Sequence, residues 1–352
     1  MDSRPGDTAL GKDSIDFARQ HHRPGRIDDA AQRDVPVLAE VRRLVHGSQY
    51  NPPPSMDFIG GQWVDAQAPD GVLENRSPAD LSMVLSRHPW AASQVEAAVA
   101  AAQRAVPGWS GIELVRRIGA VLKKHEEDLA RAIALDIGKP LWEARTEAQA
   151  CAAKAAITAD EGMKLVSGFP APGQAGAECR FRPLGVLAVL GPFNFPVHLP
   201  NGHILPAIAC GNSVVFKPSE IAPHAAEVYA RCLEEAGVPP GVFNLVQGGP
   251  AVGSALSAHG GVDGVLFTGS WAVGQAIQKA NLGQTKLLAL EMGGKNAAIV
   301  LADADFDKAV YDVLFSAFVS AGQRCTAASR AIVVGDAGKF AKRIAQLARQ
   351  LS

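Results

Sequence analysis

Aromatic side chains are scarce in this sequence, at 6% of 352 residues, which favours helices packed on a sheet over an all-β sandwich. Neither sign of charge is in excess, with 34 basic against 35 acidic side chains. The chain therefore lacks the basic surplus that neutralises phosphates in a nucleic-acid or anionic-membrane binder. Its five cysteines, at 151, 179, 210, 232 and 325, are irregularly spaced and include no C-x-x-C pair. That argues against a disulfide framework or a zinc site and for a reducing cytoplasm. No uninterrupted apolar run approaches the ~20 residues that span a bilayer. The opening stretch MDSRPGDTALGKDSIDFARQHHRPGR has no apolar segment of the kind a secretory signal carries, so no signal is expected. What remains is an ordinary globular composition, 47% hydrophobic and 20% charged, long enough for two domains at about 100–200 residues each.

Residues 1–55 are polar and end in NPPPS, whose consecutive prolines fix φ and remove donors. They read as an extension or spacer, expected from composition to be disordered, with Met56 as an alternative start. A short hairpin is expected around Gly60 and Gly61. Helical spacing follows: QVEAAVAAAQRAV, then ELVRRIGAVLKKHEEDLARAIALD, read as one helix stopped by Gly138 and Pro140, then a helix through WEARTEAQACAAKAAITADEGMKLV. ECRFRPLG reads as an edge hairpin. Beyond it the period changes. VLAVL, SVVF, VFNLV, GVLF, KLLAL and AAIVL are short apolar runs separated mostly by helical stretches. Such runs belong to a parallel sheet covered on both faces, a doubly wound α/β fold whose ligands sit at the carboxyl ends of its strands. A last strand, RAIVV, and a helix close the chain.

Five segments are candidates for chemistry, four of them at those strand ends. In FTGSWAVG, Gly269, Ser270 and Gly274 lie at a strand-to-helix turn, where helix N–H groups favour a phosphate; the plain alternative is a turn that simply needs glycine. In FKPSE, Lys217 and Glu220 suit ribose hydroxyls, against the alternative of an exposed lysine and a capping Ser219. Glu291 in LEMGGKN stands where a strand opens into Gly293 and Gly294 and suits a general base, or a capping carboxylate. Cys325 in SAGQRCTAAS has small and polar neighbours unlike core packing, and Arg324 would favour its thiolate if close. Asn194, in the proline-bracketed GPFNFP, can offer an amide to an oxyanion. His198 and His203 read as pocket or structural residues, and Arg180 and Arg182 as solvated hairpin residues.

Taken together and in order, GPFNFP, KPSE, FTGS-x3-G, EMGG and GQRCT resemble the aldehyde dehydrogenase superfamily over about residues 57–352. NFPVHLPNGHILPAIACGN, NLVQGG and LALEMGG are similar to its branch acting on N-succinylglutamate 5-semialdehyde, in the succinyl-transfer route of arginine degradation. The resemblance implies a Rossmann-like NAD-binding domain at 56–290, with an oligomerisation hairpin near 168–185. It also implies the first part of a catalytic domain at 291–352. Cys325 would be the nucleophile, Asn194 the oxyanion donor and Glu291 the base that hydrolyses a thioester. Lys217 and Glu220 would hold the ribose, with Glu220 favouring NAD over NADP, and Ser270 with Gly269 and Gly274 would receive the pyrophosphate. The implied partners are a small aldehyde and further copies of the chain, with no metal, nucleic acid or membrane.

The family continues beyond the segment matching Ser352, and its E-x-F-G-P motif does not occur here. A chain ending there would leave apolar faces of its last strand and helix uncovered and is expected to turn over little. Three readings stay open: an aldehyde-oxidising enzyme of which these residues are a part, an inactive remnant, or an enzyme for another semialdehyde.

Overall fold

The computed structural model describes a strand at Ser14–Asp16 and residues 56–106 and 111–351. The rest of the 1–55 extension, with its proline spacer, lies outside the described residues. The chain forms two compact units that part between Met292 and Gly293.

The larger unit is built on a seven-stranded sheet in the order Leu287–Met292, Gly264–Gly269, Val186–Leu190, Ser213–Lys217, Phe243–Leu245, Asp57–Ile59, Gln62–Val64. The first five are parallel, and the hairpin 57–64 is added antiparallel at one edge. From Val186–Leu190 the chain winds first one way, to 213–217 and 243–245, and then back past it to 264–269 and 287–292. The order therefore reverses between Val186–Leu190 and Gly264–Gly269, and in such sheets the crevice for a ligand opens at the carboxyl ends beside the reversal.

Why the strands lack alternation follows from the packing. All five residues of Val186–Leu190 are buried. Leu187 and Val189 face a core shared with Val214, Phe216 and the helices Ile112–Lys124, Glu126–Ile137, Leu141–Ala156, His198–Ala209 and Pro223–Glu235. Val186, Ala188 and Leu190 face the other way, into a core shared with Val215 of the neighbouring strand and with Val252, Leu256 and Ile277 from the helices Pro250–Ala258 and Trp271–Ala280. A strand with protein on both sides has no polar position to offer.

Two expectations need correction. The run from Glu113 to Asp136 is two helices, broken at His125, whose φ −103° and ψ 22° leave the helical region. Lys123 and Lys124 close the first helix and Glu126, Glu127 and Asp128 open the second. Each set complements the dipole of its own terminus, so the break is favoured electrostatically where the apolar spacing is continuous. The second concerns the stretch Gly71–Ser77 and Asp80–Trp90, a long antiparallel hairpin that the sequence did not announce. Its strands mix polar and apolar residues, with Pro89 inside the second, so neither strict alternation nor a long apolar run marks them.

The smaller unit has a three-stranded sheet in the order Ser14–Asp16, Ala328–Val333, Asn296–Val300, the last two parallel. The helices Phe306–Phe318 and Ala337–Ala348 cover one face through Val310, Leu314, Phe340 and Ile344. Ile299, Leu301, Ile332 and Val334 are exposed. Among the described residues no helix is long and apolar enough to cross a membrane, and no group of three His, Cys, Asp or Glu is placed to hold a metal ion.

Helix packing in the larger unit is close enough to reverse an ordinary propensity. Gly119 is buried in Ile112–Lys124, and a Cβ there would stand 2.5 Å from that of Ala155. Glycine to alanine in a helix interior normally stabilises by about 1 kcal/mol. Here the helices must part, at about 1–3 kcal/mol. Gly119→Ala is therefore expected to lower the urea midpoint, and a raised midpoint would show that the two helices yield freely.

Candidate active site

The loop after Val186–Leu190 carries Asn194 and leads into the helix His198–Ala209, and a deeply buried ion pair holds it. Lys139 Nζ lies 2.5 Å from Glu147 Oε2, with side chains 4% and 0% exposed. The same ammonium donates to the Asn194 carbonyl at 2.9 Å and stands 3.8 Å from the centre of the Phe195 ring. The second oxygen of Glu147 accepts from the N–H groups of Val197, at 3.3 Å, and His198, at 3.1 Å. Val197 supplies no side-chain cap of its own, so a carboxylate 50 residues earlier caps the helix. Asn194 Oδ1 accepts from the N–H of Phe195 at 3.1 Å.

The other predicted residues of this unit stand at the ends of neighbouring strands. Lys217 closes its strand and is buried, not the exposed lysine of the plainer reading. Its ammonium donates to the Gly248 carbonyl at 2.8 Å and meets Glu220 Oε2 at 3.3 Å. Burial holds it below the usual lysine range, with Glu220 opposing. Glu220 itself is exposed. Ser270 follows Gly264–Gly269 and caps Trp271–Ala280, its Oγ accepting from Val273 N at 3.3 Å. The two glycines around it have packing reasons. A Cβ on Gly269 would come within 2.5 Å of the Phe267 ring, and one on Gly274 would collide with Met292 Sδ. Glu291 lies inside Leu287–Met292, opposite Thr268 in the parallel register, and is exposed.

His203, on the helix that Asn194 leads into, reaches this edge as well. Its Nε2 is 3.4 Å from Thr268 Oγ1. Burial and the Lys154 charge press the imidazole below its ordinary value, while Glu291 pulls the other way. One side chain thus stands in the field of both Lys154 and Glu291.

Cys325 belongs to the smaller unit, on the exposed loop before Ala328–Val333. The chain enters that loop through Ser320, Ala321 and Gly322, with φ of 55°, 53° and 70°, three left-handed residues in succession. Left-handed backbone at non-glycine residues costs roughly 1–3 kcal/mol each and gathers at functional sites. Two side chains hold it. Arg324 Nε donates to Ser320 Oγ at 2.9 Å, so that guanidinium is engaged with the loop itself. The Asn296 amide donates to the carbonyls of Cys325, at 2.5 Å, and Ala327, at 3.1 Å.

Lys139, Glu147 and Asn296 carry no signal of their own in the sequence, although Lys139 sits in the Gly138–Pro140 break already noted as a helix stop. Removing one member of a buried ion pair strands the other charge, at about 3–5 kcal/mol. Glu147→Ala is therefore expected to cost about that much in urea unfolding. A loss under about 1 kcal/mol would show that Lys139 finds water and that the pair does not hold the loop.

Comparison with known proteins bears on these positions. The aldehyde dehydrogenase family matches residues 63–352. N-Succinylglutamate 5-semialdehyde dehydrogenase of Pseudomonas fluorescens is 46% identical over 284 residues, 78% of this chain and 58% of that protein. The Chromobacterium violaceum protein of the same name is 47% identical over 84% of this chain and 62% of its own length. Among solved structures, aldehyde dehydrogenase C of Pseudomonas syringae, a mutant bound to NAD+ and octanal, superposes with a TM-score of 0.78 at 33% identity. The match covers 83% of this chain and 62% of that one. The chain thus spans about three-fifths of these relatives' length, with the five parallel strands of its larger sheet, its strand-end residues and its cysteine loop inside the family's matched region. It belongs to the aldehyde dehydrogenase family.

Proposed function

We propose that this chain carries the cofactor site and the reacting residues for NAD-dependent oxidation of N-succinyl-L-glutamate 5-semialdehyde to N-succinyl-L-glutamate. The observation that carries the reading is the convergence of Asn194, Lys217 with Glu220, Ser270 and Glu291 on the carboxyl ends of four adjacent parallel strands, beside the point where strand order reverses. The names of the relatives that match at 46% and 47% identity supply the substrate.

The strand ends suit a dinucleotide. Lys217 is fixed by Gly248 and Glu220, and at the neighbouring Gly249 an added Cβ would meet no atom within 4 Å, which leaves an open cradle beside the ammonium. In this reading Lys217 and Glu220 receive the adenosine ribose, and the carboxylate of Glu220 repels a 2′-phosphate. The start of Trp271–Ala280, with Ser270, Gly269 and Gly274, receives the pyrophosphate. The bound NAD supplies the hydride acceptor.

The thiolate of Cys325 attacks the aldehyde carbon, and the C–S bond forms as the carbonyl electrons move to oxygen. The Asn194 amide and the Cys325 N–H donate to that oxyanion. Loss of hydride to the cofactor restores the carbonyl as a thioester. Glu291 then takes a proton from water as its oxygen attacks, the C–S bond breaks, and the acid leaves with the thiolate restored. Exposure suits Glu291 to a water-activating part. The exposed hairpin Phe169–Pro170 and Glu178–Cys179, with Phe169 and Phe181 on its surface, is the segment we assign to contact between copies.

With N-succinyl-L-glutamate 5-semialdehyde and NAD, Cys325 is expected to gain an acyl group that raises the intact mass by the aldehyde's mass less two hydrogens, with one NADH formed per adduct. Cys325→Ala is expected to abolish both, and NADH formation by that variant would end the nucleophile assignment. Glu291→Gln is expected to keep the first NADH while slowing release of acid by about 10²–10⁴-fold, the usual worth of a general base. Preference for a different semialdehyde would correct the substrate, and no adduct with any aldehyde would favour an inactive remnant.

A further inference from the structure

Lys154, near the end of Leu141–Ala156, is half-buried, and its ammonium has no carboxylate partner among the described residues. The two more deeply buried lysines, Lys139 and Lys217, are each paired with a glutamate. Among the described residues, Lys154 Nζ donates to the His198 carbonyl, at 3.3 Å. Burial holds the group below the usual lysine range. A cation taken out of water without a counter-charge is costly, and that cost is recovered when an anion arrives.

Its location narrows which anion. His198 lies four residues beyond Asn194, and Lys154 lies over Gly202, where an added Cβ would run into its Nζ. The next residue, His203, is in the field of both Lys154 and Glu291 and reaches Thr268 on the strand beside Glu291. The ammonium thus stands on the wall that connects the Asn194 loop to the Glu291 strand, set back from both. His198 and His203 flank it, each held below the ordinary imidazole value by burial, with Lys154 adding to the effect. Neutral imidazoles beside an unpaired ammonium leave a net positive spot in a half-dry wall.

We propose that Lys154 binds the carboxylate of a substrate that carries an aldehyde at one end and a carboxylate at the other, and so selects acidic semialdehydes over neutral aldehydes. The assignment rests on the aldehyde-oxidising reading above and adds to it the residue that reads the acid. Gly202 belongs to the same device, because only the absence of a side chain leaves the ammonium its place.

The test is equilibrium binding of N-succinyl-L-glutamate to the whole chain by calorimetry, with butyramide as the uncharged probe. Lys154→Met is expected to weaken N-succinyl-L-glutamate by about 10-fold or more, as the loss of a charge-assisted hydrogen bond implies. Butyramide binding should not change, and Lys154→Arg should recover most of the loss. Equal affinity of wild type and Lys154→Met for N-succinyl-L-glutamate would overturn the proposal, as would an equal loss for both probes, which a purely structural lysine would give. If Lys154→Met does not fold, Gly202→Ala takes its place, since the added methyl displaces the ammonium, and the same comparison decides. Labelling of Cys325 by butanal with NAD is followed in parallel. Failure of that labelling in the wild type counts against the aldehyde-oxidising reading alone, whereas the calorimetric comparison judges Lys154.

Discussion

Both oxygens of one buried carboxylate are committed, and the geometry of the strand-end loops depends on it. Glu147 neutralises Lys139 with one oxygen and ties down the N–H groups of Val197 and His198 with the other. Lys139 reaches from the turn between two helices to the Asn194 carbonyl. In water such an arrangement would be loose and nearly worthless. In a dry interior a charge that leaves its partner has nowhere to go, so the pair persists only while all its contacts do. That rigidity is transferred to the loop 191–198, and the role proposed for Asn194 needs a donor already in place before charge develops.

The same logic separates what was legible in the sequence from what was not. Strands buried on two faces write themselves as apolar runs, so Val186–Leu190, Ser213–Lys217 and Gly264–Gly269 could be read directly, and with them the edge on which ligands gather. Asn194, Lys217, Glu220, Ser270 and Glu291 could be picked out because each follows or ends such a run. Lys139 and Glu147 could not. They are charged residues in helical surroundings, indistinguishable from solvated ones until a loop some 50 residues onward folds over them. The break at His125 was hidden for a related reason. Apolar spacing runs on through it, and the charges that favour two termini there look, in sequence, like an ordinary helix surface. The hairpin Gly71–Trp90 has neither period, because its strands mix polar and apolar residues without a regular order.

Glycines show how one position can carry two explanations. Gly269 and Gly274 stand at the turn where a phosphate approach was expected, yet the atoms that crowd their missing side chains belong to Phe267 and Met292. Packing of helix on strand demands them first, and room for an anion at the helix start comes with the same close approach. Ser270 shares this economy, since its hydroxyl caps the helix whose N–H groups remain the natural place for a phosphate.

The left-handed stretch before Cys325 sets the range of sequences this loop can tolerate. Ser320 and Ala321 occupy a region where L-residues are crowded, but they are not equally replaceable. Ala321 is exposed, and glycine there would relieve the crowding at little loss. Ser320 is buried at 3% and receives Arg324 through its hydroxyl, so glycine would ease the backbone while releasing the guanidinium next to the cysteine. A β-branched residue at either place meets the full steric penalty. Drift at 321 should therefore run toward small and flexible residues. Position 320 is confined to side chains that both accept a left-handed backbone and offer an oxygen, a short alphabet that serine, asparagine and aspartate nearly exhaust.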